Sequence, residues 1–237
     1  MRLEAKYGNT TIAFEVRYRN RKTLMIRIEP LEKILVDSPA GLSEDYIKEK
    51  VKSKGKWIIK KLLSFKETGY IPSSKEFKDG ENFLYLGRNY SLNIIMDPNI
   101  IRPKVSLSAD QISVISPSKD FKTLKTAIKK WYKKEAEKNI LKKIEYYKTQ
   151  LKANPGEIKV KEQKRRWGSC TSKGKIYFNW RIIMAPVSVL DYIIVHEMSH
   201  LIQANHSPKF WKLVESIIPD YKDKKKWLKD YGVRLEL

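Results

Sequence analysis

The chain has 237 residues, 41% of them hydrophobic, which is enough to fill a core and indicates a globular protein. No stretch approaches the roughly 18 apolar residues of a membrane-spanning helix, and the single cysteine excludes an internal disulfide framework. Lys and Arg outnumber Asp and Glu by 49 to 27, so the net charge is +22 and suits an anionic partner.

The charge and the first residues bear on partners and location. Most basic residues are lysines in helix-patterned segments, where we expect them to cover the solvated face opposite an apolar stripe. Nucleic acid is an alternative partner through this basic surface. The N-terminal stretch MRLEAKYGNTT has no apolar run of signal-peptide length, and Cys170 fits a reducing compartment. We therefore expect a cytoplasmic protein without membrane contact.

Residues 1–118 have the pattern of a β-rich region with one helix. Apolar and polar residues alternate from Thr10 to Tyr18, and the same alternation in LMIRI and KILVDSP indicates an antiparallel sheet. Ser43 is a candidate N-cap for a helix that reaches Leu62, and the polar stretch ETGYIPSSKEFKDGEN is a candidate linker. Strand-like runs return at FLYLG, YSLNIIM, KVSLS and ISVIS. No internal repeat is visible.

Residues 119–237 are predicted to form a second domain. Apolar residues recur at helical spacing from Phe121 to Leu151, which indicates one long amphipathic helix. A strand, EIKVK, and two strand-like arms around a Ser/Lys/Gly turn follow, and the segment VSVLDYIIVHEMSHLIQ has helical length. The sequence therefore predicts an α+β fold, in which a β-rich N-terminal region precedes a domain that carries a ligand-bearing helix.

All the histidines of the chain lie in the stretch HEMSHLIQANH. On a helix, His196 and His200 project from the same face one turn apart, while the opposite face is apolar. His-Glu-x-x-His is the pattern of zinc hydrolases, in which two neutral imidazoles bind the metal and the glutamate, here Glu197, is the general base.

The third histidine requires a turn in the chain. On a continuous helix, His206 would lie about 9 Å along the axis from His200 and about 120° around it, too far to share an ion. We expect Asn205 to adopt a left-handed conformation and Ser207 with Pro208 to start a new helix. The histidine spacing equals that of the metzincin pattern, but Gln203 stands where that pattern has glycine, so the turn must be built differently.

Three imidazoles and a water make an open zinc site, which favours hydrolysis through a zinc-activated water. A closed structural site, with Cys170 as the fourth ligand, is the alternative. The oxyanion that develops during hydrolysis needs a second electrophile besides zinc. The candidates for this oxyanion or substrate contact are Arg165, Arg166, Tyr177 and Arg181.

The span from Arg166 to Trp227 resembles the YgjP-like family of zinc-dependent metallopeptidases. The resemblance rests on four separate stretches in the same order, RWGSC, GKIYFNWRIIMAP, DYIIVHEMSHL and NHSPKFW, and PDYKDKKKWL extends it to Leu228. It implies a zincin-like catalytic domain in which His196, His200 and His206 bind zinc and Glu197 is catalytic. The chain is more loosely similar to SprT-like and Wss1-like peptidases, which act on proteins crosslinked to DNA.

The leading functional hypothesis is a zinc metallohydrolase that acts as a metallopeptidase on a peptide or protein substrate. Two alternatives stay open. One is a nucleoside triphosphate pyrophosphohydrolase with the same metal site, an activity attributed to some YgjP-like proteins, in which Arg165 and Arg166 would hold phosphates. The other is a basic nucleic-acid-binding protein stabilised by a closed zinc site.

Overall fold

The computed structural model describes residues 1–29, 33–67, 75–163 and 166–237. Within these ranges the chain is an α+β protein with six α-helices and three small sheets, which confirms the predicted fold class and the β-rich N-terminal region. Its compact units are Met1–Ser73 and Ser74–Leu237, while the domain boundary predicted between residues 118 and 119 stays a prediction. None of the helices in the described ranges is long and apolar enough to cross a membrane.

The first unit is a four-stranded sheet followed by two helices. The strand order is β1-β2-β4-β3, and the two helices follow β4 in the chain. One hydrophobic core holds the unit together. Strand residues such as Phe14 and Val36 and helix residues such as Val51 contribute to it. The elements are β1 (Arg2–Tyr7), β2 (Thr10–Arg19), β3 (Met25–Glu29), β4 (Lys33–Pro39), α1 (Glu44–Ser53) and α2 (Gly55–Glu67).

The prediction of a purely antiparallel sheet was wrong. β2 and β4 pair in parallel, and the other two pairs, β1 with β2 and β3 with β4, are antiparallel. β3 passes to the edge of the sheet, and β4 returns between it and β2. Alternation of apolar and polar residues reports only which face of a strand is buried, so it could not distinguish these directions.

The single helix predicted after Ser43 is two helices. Ser43 is the N-cap of α1, as predicted, and accepts a hydrogen bond from Tyr46 N. α1 ends at Ser53, where Lys54 N donates to Val51 O and tightens the last turn. Gly55 opens α2, and a Cβ there would overlap the Tyr7 ring, so only glycine fits this packing. Much of the predicted linker lies outside the described residues.

The second unit begins with a sheet of the same topology. Its strands are ordered β5-β6-β8-β7, with β6 and β8 parallel and the outer pairs antiparallel. The last strand of each four-stranded sheet ends at a Ser-Pro pair, and both serines, Ser38 and Ser116, are fully buried. The two four-stranded sheets therefore repeat one topology, although no repeat is visible in the sequence. The strands are β5 (Asn82–Tyr85), β6 (Arg88–Met96), β7 (Lys104–Leu107) and β8 (Gln111–Ser116).

A long helix, α3 (Phe121–Leu151), follows this sheet as predicted. Asp120 caps it, with its side chain accepting a hydrogen bond from Thr123 N. One face of α3 is buried at a spacing of three to four residues against the second sheet and the helix that carries His196. The buried residues are Leu124, Ile128, Trp131, Tyr132, Ala136, Ile140, Ile144, Tyr147 and Leu151.

A small third sheet and three further helices complete the second unit. The sheet order is β10-β11-β9, so β10 is an edge strand, antiparallel to β11, and β9 is parallel to β11. A short 3₁₀ turn, Trp180–Met184, leads from β11 to the first of the helices. The elements are β9 (Glu157–Lys161), β10 (Gly168–Cys170), β11 (Lys175–Asn179), α4 (Val187–Ser199), α5 (Pro208–Ile217) and α6 (Tyr221–Tyr231).

Candidate metal centre

The helix α4 carries two of the three histidines. It begins after Pro186 and is buried along most of its length, with Leu190, Ile194 and Met198 completely inaccessible. His196 lies in its last turn, and His200 is its C-cap with right-handed backbone angles. The two imidazoles are therefore one turn apart, as predicted, and their ring centroids are 5.1 Å apart.

The chain turns immediately after α4. Leu201 N donates to Met198 O, and Gln203 N donates to Ser199 O, which closes the helix and redirects the chain. Asn205 does not have the positive φ that we expected from its position, so that expectation was wrong. The turn is built from backbone hydrogen bonds at the helix end, which a residue-type signal does not report.

The helix that follows the turn begins as predicted. Ser207 is the N-cap of α5 and accepts a hydrogen bond from Phe210 N, and Pro208 occupies the first helical position. His206 precedes this cap directly, so the start of α5 sets the position of its imidazole. Its ring centroid is 5.0 Å from that of His196 and 4.7 Å from that of His200.

The three imidazoles form a group that fits a metal ion. One ring nitrogen from each lies within 4.8 Å of the others, and His206 Nε2 is 3.1 Å from His196 Nε2. His200 Nδ1 is 3.2 Å from Gln203 O, so as a donor to this carbonyl it leaves Nε2 unprotonated for a metal. Cys170 Sγ is not part of the group.

Burial favours the neutral form of His196 and His206. Desolvation lowers the pKa of His196 to about 3, and the neighbouring imidazoles and Lys225 lower it further in the same direction. Desolvation also lowers the pKa of His206. Neutral imidazole is the form that binds a metal ion, so the site is arranged for ligation across the neutral pH range.

Aromatic rings surround the imidazoles. The Phe210 ring is fully buried, and its centroid lies 5.0, 4.6 and 4.8 Å from those of His196, His200 and His206. Trp211 stacks on His206 with an interplanar angle of 21°. His196 Nδ1 is buried without a hydrogen-bond partner. The second ring nitrogen of a metal-binding histidine usually donates to a carboxylate or a carbonyl. In His196, packing against aromatic rings fixes the ring orientation instead.

Glu197 lies on α4 between the two helix histidines and is only 6% exposed. Burial raises the pKa of its carboxyl to about 7, while the Arg166 charge and a hydrogen bond from Cys170 N act in the opposite direction. A carboxyl with a pKa near neutrality can both accept and release a proton at that pH. Glu197 also lines the same cleft, of about 1000 Å³, as His196, His200 and His206.

Of the four residues predicted as oxyanion or substrate contacts, the structure places Arg166 in the cleft. Arg166 lines the cleft and is close enough to Glu197 to affect its pKa. Arg181 instead donates to Glu162 at 2.8 Å, and the Tyr177 ring lies beneath Lys161 Nζ at 3.6 Å. Neither Arg181 nor Tyr177 is among the described residues that line the cleft. Arg165 lies outside the described residues.

Three residues near the site were not given a role by the sequence. Phe210 contacts all the imidazoles, and Gly168 lies directly against the Glu197 side chain. Asn179, only 3% exposed, donates to Gln163 O and Arg166 O and so holds the chain that enters β10. An asparagine between two apolar residues, Phe178 and Trp180, is the signal that could have indicated a buried polar anchor.

Comparison with protein-family models agrees with this geometry. A family model described as YgjP-like, metallopeptidase domain, matches residues 22–231. A search of curated proteins finds no match. Among solved structures, the metallopeptidase zymogen abylysin of Pyrococcus abyssi matches with 21% identity and a TM-score of 0.35, over 38% of this chain and 92% of that chain. The family match supports a peptide or protein substrate and lends no support to nucleotide or nucleic-acid alternatives. The family match covers the three imidazoles and Glu197, and the chain accordingly belongs to the YgjP-like family of metallopeptidases, whose activity implies a bound metal ion.

Proposed function

We propose that the protein is a zinc-dependent metallopeptidase with His196, His200 and His206 as zinc ligands and Glu197 as the general base. The observation that carries the proposal is the convergence of three imidazole nitrogens beside a buried carboxyl. Three protein ligands leave the fourth position of a tetrahedral zinc ion open, which is the arrangement of catalytic sites.

The spacing of the imidazoles supports zinc. Nitrogens that each lie about 2.0–2.1 Å from a tetrahedral ion are about 3.3 Å apart. The separation of 3.1 Å between His196 Nε2 and His206 Nε2 is close to this value. The donor set consists of imidazoles without carboxylates, and this set suits zinc better than magnesium or calcium.

The residues of the chain divide the work of peptide hydrolysis. Zinc bound at this site would act as a Lewis acid and would lower the pKa of a bound water to about 7. Glu197 accepts a proton at its carboxylate as the water attacks the peptide carbonyl, and then donates it to the leaving amine nitrogen. Arg166 lines the cleft and is the candidate partner for the oxyanion of the carbonyl.

The test compares zinc-loaded protein with a Glu197→Gln variant on unfolded casein and on a mixed peptide library. We expect the variant to keep its zinc and to lose about 10²–10⁴-fold in hydrolysis, because glutamine cannot accept the proton. His206→Ala should lose zinc affinity as well as hydrolysis. Full peptide hydrolysis by Glu197→Gln would refute the mechanism.

Nucleoside triphosphates belong in the same assay. Release of pyrophosphate or phosphate that the Glu197→Gln variant lacks would replace the peptidase proposal with nucleotide hydrolysis at the same site. Release that is equal in both proteins would identify a contaminant.

A further inference from the structure

Gly168 lies against the Glu197 side chain. A Cβ built at Gly168 would lie 2.5 Å from Glu197 Cγ, 2.6 Å from Oε1 and 2.8 Å from Cδ, and these are its three nearest heavy atoms. Real Cβ atoms essentially never approach another atom closer than 3.0 Å. The space that a side chain would need at position 168 is therefore filled by the Glu197 side chain.

The edge position of β10 explains why its backbone faces Glu197. Trp167 O accepts from Asn179 N, and Thr171 N donates to Lys175 O, so these residues bond to β11. In an antiparallel pair such residues alternate with residues whose backbone groups point away from the partner strand. Gly168 and Cys170 are the residues that point away. The Cys170 N–H accordingly lies on the Glu197 side of the strand, where it acts to lower the pKa of the Glu197 carboxyl.

We propose that Gly168 is a positioning residue: its missing side chain leaves the slot that holds the Glu197 carboxyl beside the three imidazoles. This role rests on the proposed function, because it matters for catalysis only if Glu197 handles the proton. The backbone of Gly168 does not require glycine, since its φ is outside the left-handed region. Contact with Glu197 is therefore what excludes a side chain at this position.

The contact predicts a specific coupling between the two residues. Gly168→Ala should push the Glu197 carboxyl out of its slot, whereas in a Glu197→Ala background the atoms that the new methyl group meets are gone. If Gly168 were needed only for the fold, Gly168→Ala would lower the stability by the same amount in the wild type and in Glu197→Ala. Residues in direct contact show such non-additivity, and independent residues do not.

The first experiment measures thermal unfolding of the full chain, without metal, for the wild type, Gly168→Ala, Glu197→Ala and the double variant. We expect Gly168→Ala to lower the unfolding midpoint in the wild type and to lower it much less, or not at all, in Glu197→Ala. Gly156→Ala is the matched control, because its Cβ would meet only Lys173 O at 3.6 Å and Gly174 O at 3.8 Å. It should have the same small effect in both backgrounds.

The second experiment measures kcat, KM and zinc content of Gly168→Ala on the peptide substrate found for the wild type. We expect kcat to fall about 100-fold, because a catalytic group displaced by about 1 Å loses that much, while KM and zinc content stay within about twofold of the control. This result supports the proposal even if the unfolding midpoint does not move, since Glu197 would then have shifted at little cost in stability.

Either of two results overturns the proposal. One is an equal loss of stability on Gly168→Ala in the two backgrounds. The other is an unchanged kcat for Gly168→Ala in an enzyme that Glu197→Gln inactivates. If neither peptide nor nucleotide is hydrolysed, the proposed function fails, and the unfolding cycle alone decides whether Gly168 positions Glu197.

Discussion

At the scale of the single residue, Phe210 connects the core to the metal centre. Its ring is fully buried and contacts His196, His200 and His206 with centroid distances of 4.6 to 5.0 Å. An imidazole that lacks a hydrogen-bond partner at its second nitrogen, as His196 does, depends on packing for its orientation. Phe210 is therefore expected to affect metal affinity as well as stability.

Phe210→Ala tests this dual role. Removal of a buried phenyl ring should cost about 3–5 kcal/mol of unfolding free energy, and loss of the wall behind the imidazoles should weaken zinc binding about 10–100-fold. Competition with a chromogenic chelator measures the affinity. Phe178→Ala is the control, because Phe178 is also fully buried in the same core. An equal zinc affinity for the two variants would contradict the expectation.

At the scale of the element, the N-cap of α5 fixes where the turn after α4 ends and the next helix begins. The Ser207 side chain accepts a hydrogen bond from Phe210 N at 3.4 Å, and His206 is the residue before it. A cap fixes the first turn of a helix and thereby the direction in which the chain enters it. The position of the His206 imidazole, the third proposed ligand, therefore depends on the start of α5.

Ser207→Ala should cost about 1 kcal/mol of stability and should also lower zinc affinity, since His206 loses a fixed anchor. Ser43→Ala is a matched control, because Ser43 caps α1 in the same way in the first unit. We expect it to destabilise by a similar amount without any change in zinc affinity, as measured by chelator competition. A drop in zinc affinity only for Ser43→Ala, or an equal drop for both variants, would contradict the expectation that the Ser207 cap fixes the position of His206.

Glu162 is a second connection between elements. Its carboxylate accepts from Lys129 Nζ of α3 at 2.7 Å and from Arg181 Nη2 of the 3₁₀ turn at 2.8 Å. The Lys129 hydrogen bond and, against the opposing effect of burial, the Arg181 hydrogen bond lower its pKa to about 2. Arg181 is thereby committed to an ion pair that ties the turn before α4 to α3.

This ion pair should make stability depend on pH. Because the folded pKa of Glu162 is below its unfolded value of about 4.3, the contribution is present above that value and is lost as the pH falls towards about 2. Glu162 is 39% exposed, so solvent and salt limit the contribution to about 1 kcal/mol or less.

Urea unfolding of the wild type and Glu162→Gln at several pH values gives the measurement. The wild type should be more stable near pH 7, and the difference should shrink from about pH 5 downwards. Glu145→Gln is the control, because Glu145 is 70% exposed and pairs with Lys148 only on the surface of α3. A stability difference for Glu162→Gln that does not change with pH would refute the role of its charge.

At the scale of the whole molecule, the core of the second unit is continuous from the second sheet to α5. Phe83 and Ile112 of the sheet, Ile128 of α3 and Ile194 of α4 belong to one buried cluster, and the first unit has a separate cluster of its own. A fragment that keeps the second sheet therefore keeps every side of this core, whereas a fragment that begins at α3 exposes the face that packs on the sheet.

Two fragments test how far the metal centre depends on this core. We expect residues 74–237 to unfold cooperatively and to bind zinc with an affinity close to that of the full chain. We expect residues 119–237 to lack a cooperative transition, because α3 would lose its sheet. Cooperative unfolding of the shorter fragment, measured by circular dichroism, would instead support the boundary predicted from the sequence.

Periodicity predicted much of the fold because it reports burial directly. The strand from Thr10 to Tyr18, the long helix α3 and the helix α4 all appear where the alternation or the helical spacing of apolar residues placed them. Strand direction, the break between α1 and α2 and the repeated topology were not visible. Strand direction and the repeated topology depend on pairing between residues distant in sequence, and the need for glycine at the start of α2 depends on the contact of Gly55 with Tyr7.

The candidate site also has parts that the sequence predicted and parts that it did not. The His-Glu-x-x-His spacing and the need for a turn before His206 predicted that three imidazoles lie together. The structure brings one ring nitrogen of each within 4.8 Å of the others. Arg181 and Tyr177 could not be separated from Arg166, because all three occupy neighbouring strands and turns and only the fold determines which side chain enters the cleft. Gly168 was visible in the sequence, but the reason for a glycine there is a contact with Glu197, which lies 29 residues later in the chain.

The place where α4 ends has an electrostatic consequence for the whole molecule. The chain carries a net charge of +22, so a divalent cation must be held against a positive overall field. α4 ends at Ser199, with His196 in its last turn and His200 as its C-cap. Its aligned peptide dipoles place about half a negative charge at that end, which favours a cation by about 0.3–1 kcal/mol. One more helical turn would move this negative end about 5.4 Å beyond the imidazoles. The early stop of α4 therefore brings both the third proposed ligand and the dipole to the place where an ion would bind.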